Sequence, residues 1–230
     1  MRHLIDCHPL MHKLVIAIDG PSGAGKGTVA RAIAETLGYR HIDTGAMYRA
    51  VGWKAAREGL ALDDEESVGV IAKQSDILVE GGIVSIDGND VTRAIRTPEI
   101  DRAATSVARL PRVREALVAR QRALGAEGGI VMEGRDIGTV VFPNADVKIY
   151  LDASAEERAR RRANDPAHSG SQTGQAAVAE AIAARDKSDT TRIISPLTIA
   201  SDAVHVDTTH LGIDRVVETV MGLIRAKLAT

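Results

Sequence analysis

The chain of 230 residues has few aromatic side chains and almost no excess charge. Phe, Trp and Tyr make up 2% of the residues, too few for the stacking platforms that bind single-stranded nucleic acids. The formal net charge is −2, whereas domains that coat nucleic acid usually carry a clear basic excess. We therefore expect no nucleic-acid partner, and any anion-binding site must be local.

Cysteine and long apolar runs are also scarce. Cys7 is the single cysteine, so no disulfide can form within the chain, which favours a reducing, cytoplasmic environment. No apolar run approaches the roughly 20 residues that span a bilayer, and residues 1–13 lack the apolar stretch of a signal peptide. We expect no membrane partner, and residues 1–13 are predicted to form a disordered extension.

A glycine-rich loop follows the first apolar run and precedes a helical pattern. Backbone N–H groups and the helix dipole make such a loop a site for polyphosphate. Gly20, Gly25 and Lys26 fit the P-loop pattern, but Gly27 occupies its hydroxyl position and Thr28 comes one residue late. Direct binding of Mg²⁺ by the loop is therefore not expected. The predicted loop residues are Gly20, Pro21, Ser22, Gly23, Ala24, Gly25, Lys26, Gly27 and Thr28.

The order of apolar runs and helical patterns predicts an α/β fold. Five runs, near residues 14–19, 39–43, 129–133, 147–151 and 203–207, alternate with helices. This alternation predicts a five-stranded parallel sheet with helices on both faces. Residues 77–91 contain two apolar runs separated by glycine turns, which predicts a hairpin or small antiparallel sheet inserted into the domain.

Two groups of polar residues follow predicted strands at the sheet edge where α/β proteins bind ligands. Thr44 could cap a helix, and Arg49 lies just over one turn further, facing a bound anion or simply the solvent. Arg135 would face phosphate, while Asp136 could accept a hydrogen bond from an exocyclic amine such as cytosine N4. A purely structural pair between Arg135 and Asp136 is the alternative.

Two further arginine groups lie on predicted helices. Arg158 and either Arg161 or Arg162 could converge beside a polyphosphate, or they could form a solvated face with Glu156 and Glu157.

Arg185, Asp189 and Arg192 would share one helix face if the helix continues that far. Asp189 could then orient both arginines, and an exposed network of weak ion pairs is the alternative.

Five motifs together resemble those of the bacterial cytidylate kinases, and the resemblance extends from about residue 14 to residue 228. The motifs are GPSGAGKGT at 20–28, DTGAMYR at 43–49, PRVREAL at 111–117, GRDIGTVVFP at 134–143 and RDKSDTTR at 185–192. The resemblance implies transfer of the γ-phosphoryl group of ATP to CMP or dCMP, with Mg²⁺ held mainly by ATP and water. It also implies ATP binding by the loop at 20–28.

The resemblance implies a role for each matched residue. The cytosine-reading residues would be Thr105, Arg114 and Asp136, the phosphate-binding residues Arg49, Arg135 and Arg192, and the pentose-binding residues Arg185 and Asp189. Thr44 completes the predicted CMP site, and it stands, like Thr105, where some relatives carry serine. The predicted catalytic residues are Lys26, Arg135, Arg158 and Arg162.

The same resemblance implies a single kinase domain at 14–230, expected to be monomeric. Its core would comprise residues 14–60 and 129–230, its nucleotide-monophosphate-binding insertion 61–128 and its lid 155–175. Two alternatives are another small-molecule P-loop kinase and a regulatory P-loop ATPase. The Asn-Lys-x-Asp motif expected of a guanine-binding switch is not in the sequence.

The substitution Asp136→Ala tests the predicted reading of the base. Uracil presents an acceptor where cytosine presents its N4 donor, and such a mismatch costs about 1–3 kcal/mol, or roughly tenfold to a hundredfold. We expect Asp136→Ala to relax the preference for CMP over UMP, measured as the ratio of kcat/KM values. Full discrimination in the variant would contradict the assignment.

Overall fold

The computed structural model describes residues 13–165 and 174–228. The predicted extension, apart from Lys13, lies outside the described residues, as do residues 166–173 of the predicted lid. The strands are β1 Val15–Asp19, β2 Arg40–Asp43, β3 Ile77–Glu80, β4 Ile83–Ile86, β5 Asn89–Asp90, β6 Ile130–Gly134, β7 Val147–Asp152 and β8 Val204–Asp207. The helices are α1 Lys26–Leu37, α2 Thr44–Arg57, α3 Glu65–Gln74, α4 Pro98–Val107, α5 Pro111–Gly125, α6 Ala155–Ala163, α7 Gln175–Thr191 and α8 Ile213–Leu228.

The predicted five-stranded parallel sheet is confirmed, with strand order β2-β6-β1-β7-β8. All five residues of β6 are buried, as expected for a strand covered on both faces, which explains the apolar run at 130–132 that opens it. The carboxyl ends of these strands meet at one edge of the sheet. There β1 leads into the glycine loop, β2 into α2 and β6 into Arg135.

Helices cover both faces of the sheet, as the alternating pattern predicts. Ile16 and Ile18 of β1 pack with α1 and α8 on one face, in a cluster that includes Ile33 and Val220. Ala17 points to the opposite face, where Val118 of α5 and the π-helical turn at Ile137–Val141 pack. None of the helices in the described part of the chain combines the length and apolar character that crossing a bilayer requires.

The predicted small antiparallel sheet is also present, as the three strands β3-β4-β5. Gly81 and Gly82 join β3 to β4, and both have positive φ (58° and 82°), as a tight hairpin turn requires. This sheet shares an apolar cluster with α2, α3, α4 and α5 that is separate from the two clusters against the parallel sheet. The proposed division of the chain into core, insertion and lid remains a prediction.

The start of α2 corrects one expectation. Asp43, not Thr44, caps the helix, because its carboxylate accepts a hydrogen bond from the Ala46 amide at 3.0 Å. Thr44 is already helical, and its hydroxyl donates to the carbonyl oxygen of Glu133 at 2.7 Å. Thr44 therefore ties α2 to the end of β6.

The contact between α2 and α4 depends on Gly52, and Gly52→Ala tests this dependence. A Cβ at Gly52 would lie 3.1 Å from the backbone carbonyl carbon of Ala103, closer than real Cβ contacts normally are. We expect a loss of about 1–3 kcal/mol from overpacking to outweigh the ~1 kcal/mol that alanine gains over glycine in a helix. The free energy of unfolding, measured with urea, should therefore fall.

Gly222→Ala is the matched control. Gly222 is an exposed residue in α8, and no atom lies within 4 Å of the position its Cβ would take. The same substitution should raise the free energy of unfolding there, by up to about 1 kcal/mol. Equal stabilisation by both substitutions would show that Gly52 does not set the contact.

Candidate active site

A cavity of about 1000 Å³ lies at the carboxyl edge of the parallel sheet, between the glycine loop, α4, α6 and α7. It brings together most of the predicted site residues. Those lining it are Ser22, Gly23, Gly25, Lys26, Gly27, Thr28, Thr44, Arg49, Thr105, Arg114, Arg135, Asp136, Arg162, Arg185, Asp189 and Arg192. Gly20, Pro21, Ala24 and Arg158 do not line it.

The glycine loop takes backbone conformations that side chains disfavour. Gly23 and Gly25 have φ values of +81° and +90°, and Gly25 caps the N-terminus of α1. Gly20 has φ +145°, and a Cβ there would overlap the carbonyl oxygen of Leu151 in β7. The loop therefore lies against the sheet with the N-terminus of α1 beside the cavity, an arrangement suited to an anion.

Lys26 begins α1 and is buried, and its Nζ donates a hydrogen bond to the carbonyl oxygen of Pro21 at 2.7 Å. Burial, the largest cause, and the nearby positive charge of Arg135 together lower the pKa of Lys26 to about 7, although the negative charge of Glu133 opposes the shift. A buried lysine of this kind gains a strong partner when a phosphate enters the cavity.

Glu133, the buried carboxylate near the end of β6, lies against the loop where the hydroxyl is missing. A Cβ at Gly27 would lie 3.1 Å from Glu133 Oε1, so a side chain at that position would crowd the carboxylate. Glu133 also lies 3.0 Å from His41 Nε2. Sequence reasoning did not assign Glu133, although its position directly before Gly134 and Arg135 is a signal that could have found it.

Asp19 links the glycine loop to the turn that carries the predicted acceptor residues. Its two carboxylate oxygens accept hydrogen bonds from the amides of Ile137 and Gly138, at 2.8 and 2.7 Å. Burial raises the pKa of Asp19 to about 6, although these two hydrogen bonds oppose the shift. Sequence reasoning treated Asp19 only as the end of the first strand, because both partners lie far along the chain.

Asp136 is buried and forms an ion pair with Arg114 of α5. Arg192 Nη2 lies 3.6 Å from the other carboxylate oxygen, and the Arg114 guanidinium carbon lies 5.6 Å from the centre of the Tyr48 ring. The alternative prediction, a structural ion pair between Arg135 and Asp136, is wrong. Arg135 donates a hydrogen bond to Asp189 at 2.9 Å instead.

The group on α7 differs in part from the prediction. The helix continues to Thr191, and Asp189 contacts Arg135 and lies 3.8 Å from Arg192 Nη1. Arg185 Nη1 lies 3.6 Å from Asp101 of α4, and Arg185 and Asp189 interact through their charges, so the orientation of Arg185 by Asp189 stays a prediction. Burial alone would raise the pKa of Asp189, but the positive charges of Arg135, Arg185 and Arg192 lower it.

Thr105 lies one turn beyond Asp101 on α4, and its hydroxyl donates to the Asp101 carbonyl oxygen at 2.9 Å. A hydroxyl that donates to its own helix keeps its lone pairs available to a ligand in the cavity.

The arginines of α6 diverge, so the expected convergence of Arg158 with its neighbours is wrong. Arg158 is buried outside the cavity, where Nη1 donates to the Ser22 carbonyl oxygen at 3.1 Å and to Asp186 at 2.5 Å. It thus supports the glycine loop from behind, and its catalytic role stays a prediction.

Its two neighbours, Arg161 and Arg162, line the cavity. Arg161 is held by Glu157 at 2.8 Å and donates to the Thr208 carbonyl oxygen at 2.6 Å, whereas Arg162 pairs with Asp101. The predicted alternative, ion pairs within α6, therefore forms between Arg161 and Glu157.

Several buried arginine nitrogens in the cavity have no hydrogen-bond acceptor among residues 13–165 and 174–228. They are Arg49 Nε, Arg114 Nε, Arg185 Nε and Arg192 Nη2. Guanidinium groups with unused buried donors are suited to carboxylate or phosphate oxygens. The cavity is therefore built for an anionic ligand opposite the glycine loop.

A parallel α/β sheet, a glycine loop at a helix N-terminus and a buried loop lysine define a phosphoryl-transfer protein of the P-loop class. A family model described as cytidylate kinase matches residues 16–226, and the chain belongs to that family. The predicted family is thereby confirmed.

Curated relatives agree over nearly the whole chain. The cytidylate kinase of Desulfitobacterium hafniense strain Y51 is 49% identical over 220 residues, covering 94% of this chain and 95% of the relative. That of Bacillus subtilis strain 168 is 48% identical over 219 residues, covering 94% and 98%. A gluconokinase from Sinorhizobium meliloti 1021 shares the fold, with a TM-score of 0.50, 16% identity and coverage of 95% and 93%.

Proposed function

We propose that this protein transfers the γ-phosphoryl group of ATP to CMP or dCMP, giving ADP and CDP or dCDP. The observation that carries the proposal is the buried Asp136 carboxylate, held by Arg114 in the same cavity as Lys26 and the glycine loop. One cavity then contains a phosphoryl donor site and an acceptor site that selects a base. Membership of the cytidylate kinase family supports the same conclusion.

Asp136 selects the base through the direction of a hydrogen bond. The guanidinium groups of Arg114 and Arg192 lie beside the Asp136 carboxylate, whose oxygens present hydrogen-bond acceptors to the ligand. Cytosine offers its N4 amino group as the donor, whereas the uracil O4 atom would face a like acceptor. The Thr105 hydroxyl, which lines the same cavity, completes this side of the site.

Arginines hold the acceptor's phosphate and sugar. Arg49, Arg135 and Arg192 all line the cavity, and Arg49 and Arg192 each have a buried nitrogen suited to a phosphate oxygen. Arg185 and Asp189 of α7 contact the pentose hydroxyls. Thr44 contributes by fixing the start of α2 against β6.

Phosphoryl transfer in this site depends on how the two substrates are positioned and on the positive charges around the transferring group. An oxygen of the acceptor phosphate attacks the γ-phosphorus of ATP, the bond from that phosphorus to the β–γ bridging oxygen breaks, and ADP leaves. Lys26 and Arg162 stabilise the charge on the transferring group, while the loop amides hold the remaining phosphates. No side chain has to remove a proton, because the attacking phosphate oxygen is already ionised.

The residues present fit an Mg²⁺ ion bound through nucleotide oxygens and water. Within the part of the chain that the structure describes, no group of three or more His, Cys, Asp or Glu side chains could hold a metal ion, and Gly27 supplies no hydroxyl. Glu133 lines the cavity beside the loop and can accept a hydrogen bond from a metal-bound water. When bound, Mg²⁺ neutralises charge on the donor phosphates.

The cellular setting is part of the same proposal. We infer a place in pyrimidine nucleotide metabolism, a cytoplasmic location, in keeping with the single cysteine, and a monomeric state.

An acceptor panel tests the proposed reaction. ADP release should be measured with ATP, Mg²⁺ and, in turn, CMP, dCMP, UMP and AMP, with Lys26→Ala as the inactive control. CMP and dCMP should be the preferred acceptors and UMP a poorer one. Equal rates on all four acceptors would refute the assignment, and ADP release without any acceptor would favour a regulatory ATPase.

The pKa of Lys26 predicts proton uptake when ATP binds. In the free protein this pKa is about 7, and the phosphates of ATP should raise it towards that of an ordinary lysine. At pH 8 the free amine is mostly neutral, so binding takes up a proton, and affinity should fall by up to about tenfold per pH unit between pH 7 and 9. Calorimetry in two buffers with different ionisation enthalpies measures the uptake.

Lys26→Arg is the matched variant, because its guanidinium stays charged throughout this range. It should bind ATP without the uptake seen in the wild type. The same uptake in both proteins, or none in either, would contradict the role of Lys26.

A further inference from the structure

We propose that Arg96 is a further binding residue for the acceptor's phosphate, and that Asp43 is the positioning residue that holds Arg96 and Arg49 together. Neither the resemblance nor the sequence patterns single out Arg96. The inference rests on the proposed function, since it concerns how the monophosphate substrate is held.

One carboxylate organises both guanidinium groups. Asp43 Oδ1 accepts the hydrogen bond from the Ala46 amide that caps α2. Asp43 Oδ2 accepts a hydrogen bond from Arg49 Nη2 at 2.6 Å and lies 3.8 Å from Arg96 Nη2. Burial alone would raise the pKa of Asp43, but the charges of Arg49 and Arg96 hold it well below its usual range. Asp43 is therefore ionised at neutral pH.

The pair of arginines carries more positive charge than Asp43 can balance. Burial and the nearby charge of Arg49 lower the pKa of Arg96, so the two guanidinium groups repel each other in the free site. Arg162 of α6 adds to this repulsion, although the negative charges of Asp43 and Asp165 offset part of it. A phosphate group with two negative charges would relieve the repulsion.

Both arginines face the cavity, and Gly45 lies against them. A Cβ at Gly45 would lie 3.0 Å from Asp43 Oδ1 and 3.3 Å from Arg49 Nη1, so a larger residue there would crowd this pair. Arg49 is buried, and its Nε has no acceptor within the described ranges 13–165 and 174–228. Arg96 lines the same cavity, with 26% of its side chain exposed. The N-terminus of α2 adds further positive potential.

A merely structural Arg96 would tie Asp43 to the segment before α4 and would affect every ligand equally. A phosphate-binding Arg96 acts only on ligands that carry a phosphate. CMP and cytidine differ by that group alone, so they separate the two roles.

The experiment measures calorimetric binding of CMP and cytidine to the full chain without ATP. The proteins are wild type, Arg96→Ala, Arg96→Lys and, as control, Arg102→Ala, which changes an arginine of α4 with a 72% exposed side chain. Arg96→Ala should weaken CMP binding about tenfold to a hundredfold and leave cytidine binding unchanged. Arg96→Lys should fall between wild type and Arg96→Ala, and Arg102→Ala should match wild type.

Unchanged CMP binding in Arg96→Ala, or equal weakening of CMP and cytidine, would overturn the proposal. If Arg96→Ala does not fold, Arg96→Lys alone decides, because a lysine keeps one charge and loses the forked geometry that binds phosphate. Failure of the wild type itself to bind CMP would instead refute the proposed function, so the two failures can be told apart.

Discussion

Pairing of buried arginines with a small number of carboxylates is the interaction on which the cavity depends. Asp43, Asp101, Asp136 and Asp189 each contact two arginines, and most of these pairs join segments that are distant in sequence. A buried charge without a partner is costly, so these pairs keep the guanidinium groups in place before any ligand arrives. Because the arginines outnumber the carboxylates, the arrangement is complete only when phosphate adds its own negative charge.

The parts of the molecule that depend on local pattern could be predicted from sequence. The strand, glycine loop and α1 follow from an apolar run, glycine spacing and helical periodicity within a short stretch of chain. The partners of the charged residues could not be predicted in this way. Asp136 meets Arg114, and Arg135 meets Asp189, only because β6, α5 and α7 end beside the same cavity. Such pairings are set by tertiary packing, which spacing alone does not encode.

Two local predictions, the cap of α2 and the convergence of the α6 arginines, were wrong for physical reasons. Either Asp43 or Thr44 could cap α2 by residue type, and the choice was made by the Glu133 carbonyl oxygen, which engages the Thr44 hydroxyl from another strand. On α6, Arg158 and Arg162 are four residues apart and share one helix face, which indicated that they converge. Their long side chains bind different partners instead: Arg158 donates to the Ser22 carbonyl oxygen, and Arg162 pairs with Asp101 of α4.

The close approach of Glu133 to Gly27 limits what the loop can carry at position 27. A Cβ there would lie 3.1 Å from Glu133 Oε1, so a serine or threonine would have to push the carboxylate aside. That movement would also disturb the contact of Glu133 with His41 Nε2, at 3.0 Å. Any redesign that returns a hydroxyl to position 27 therefore has to treat positions 27 and 133 together.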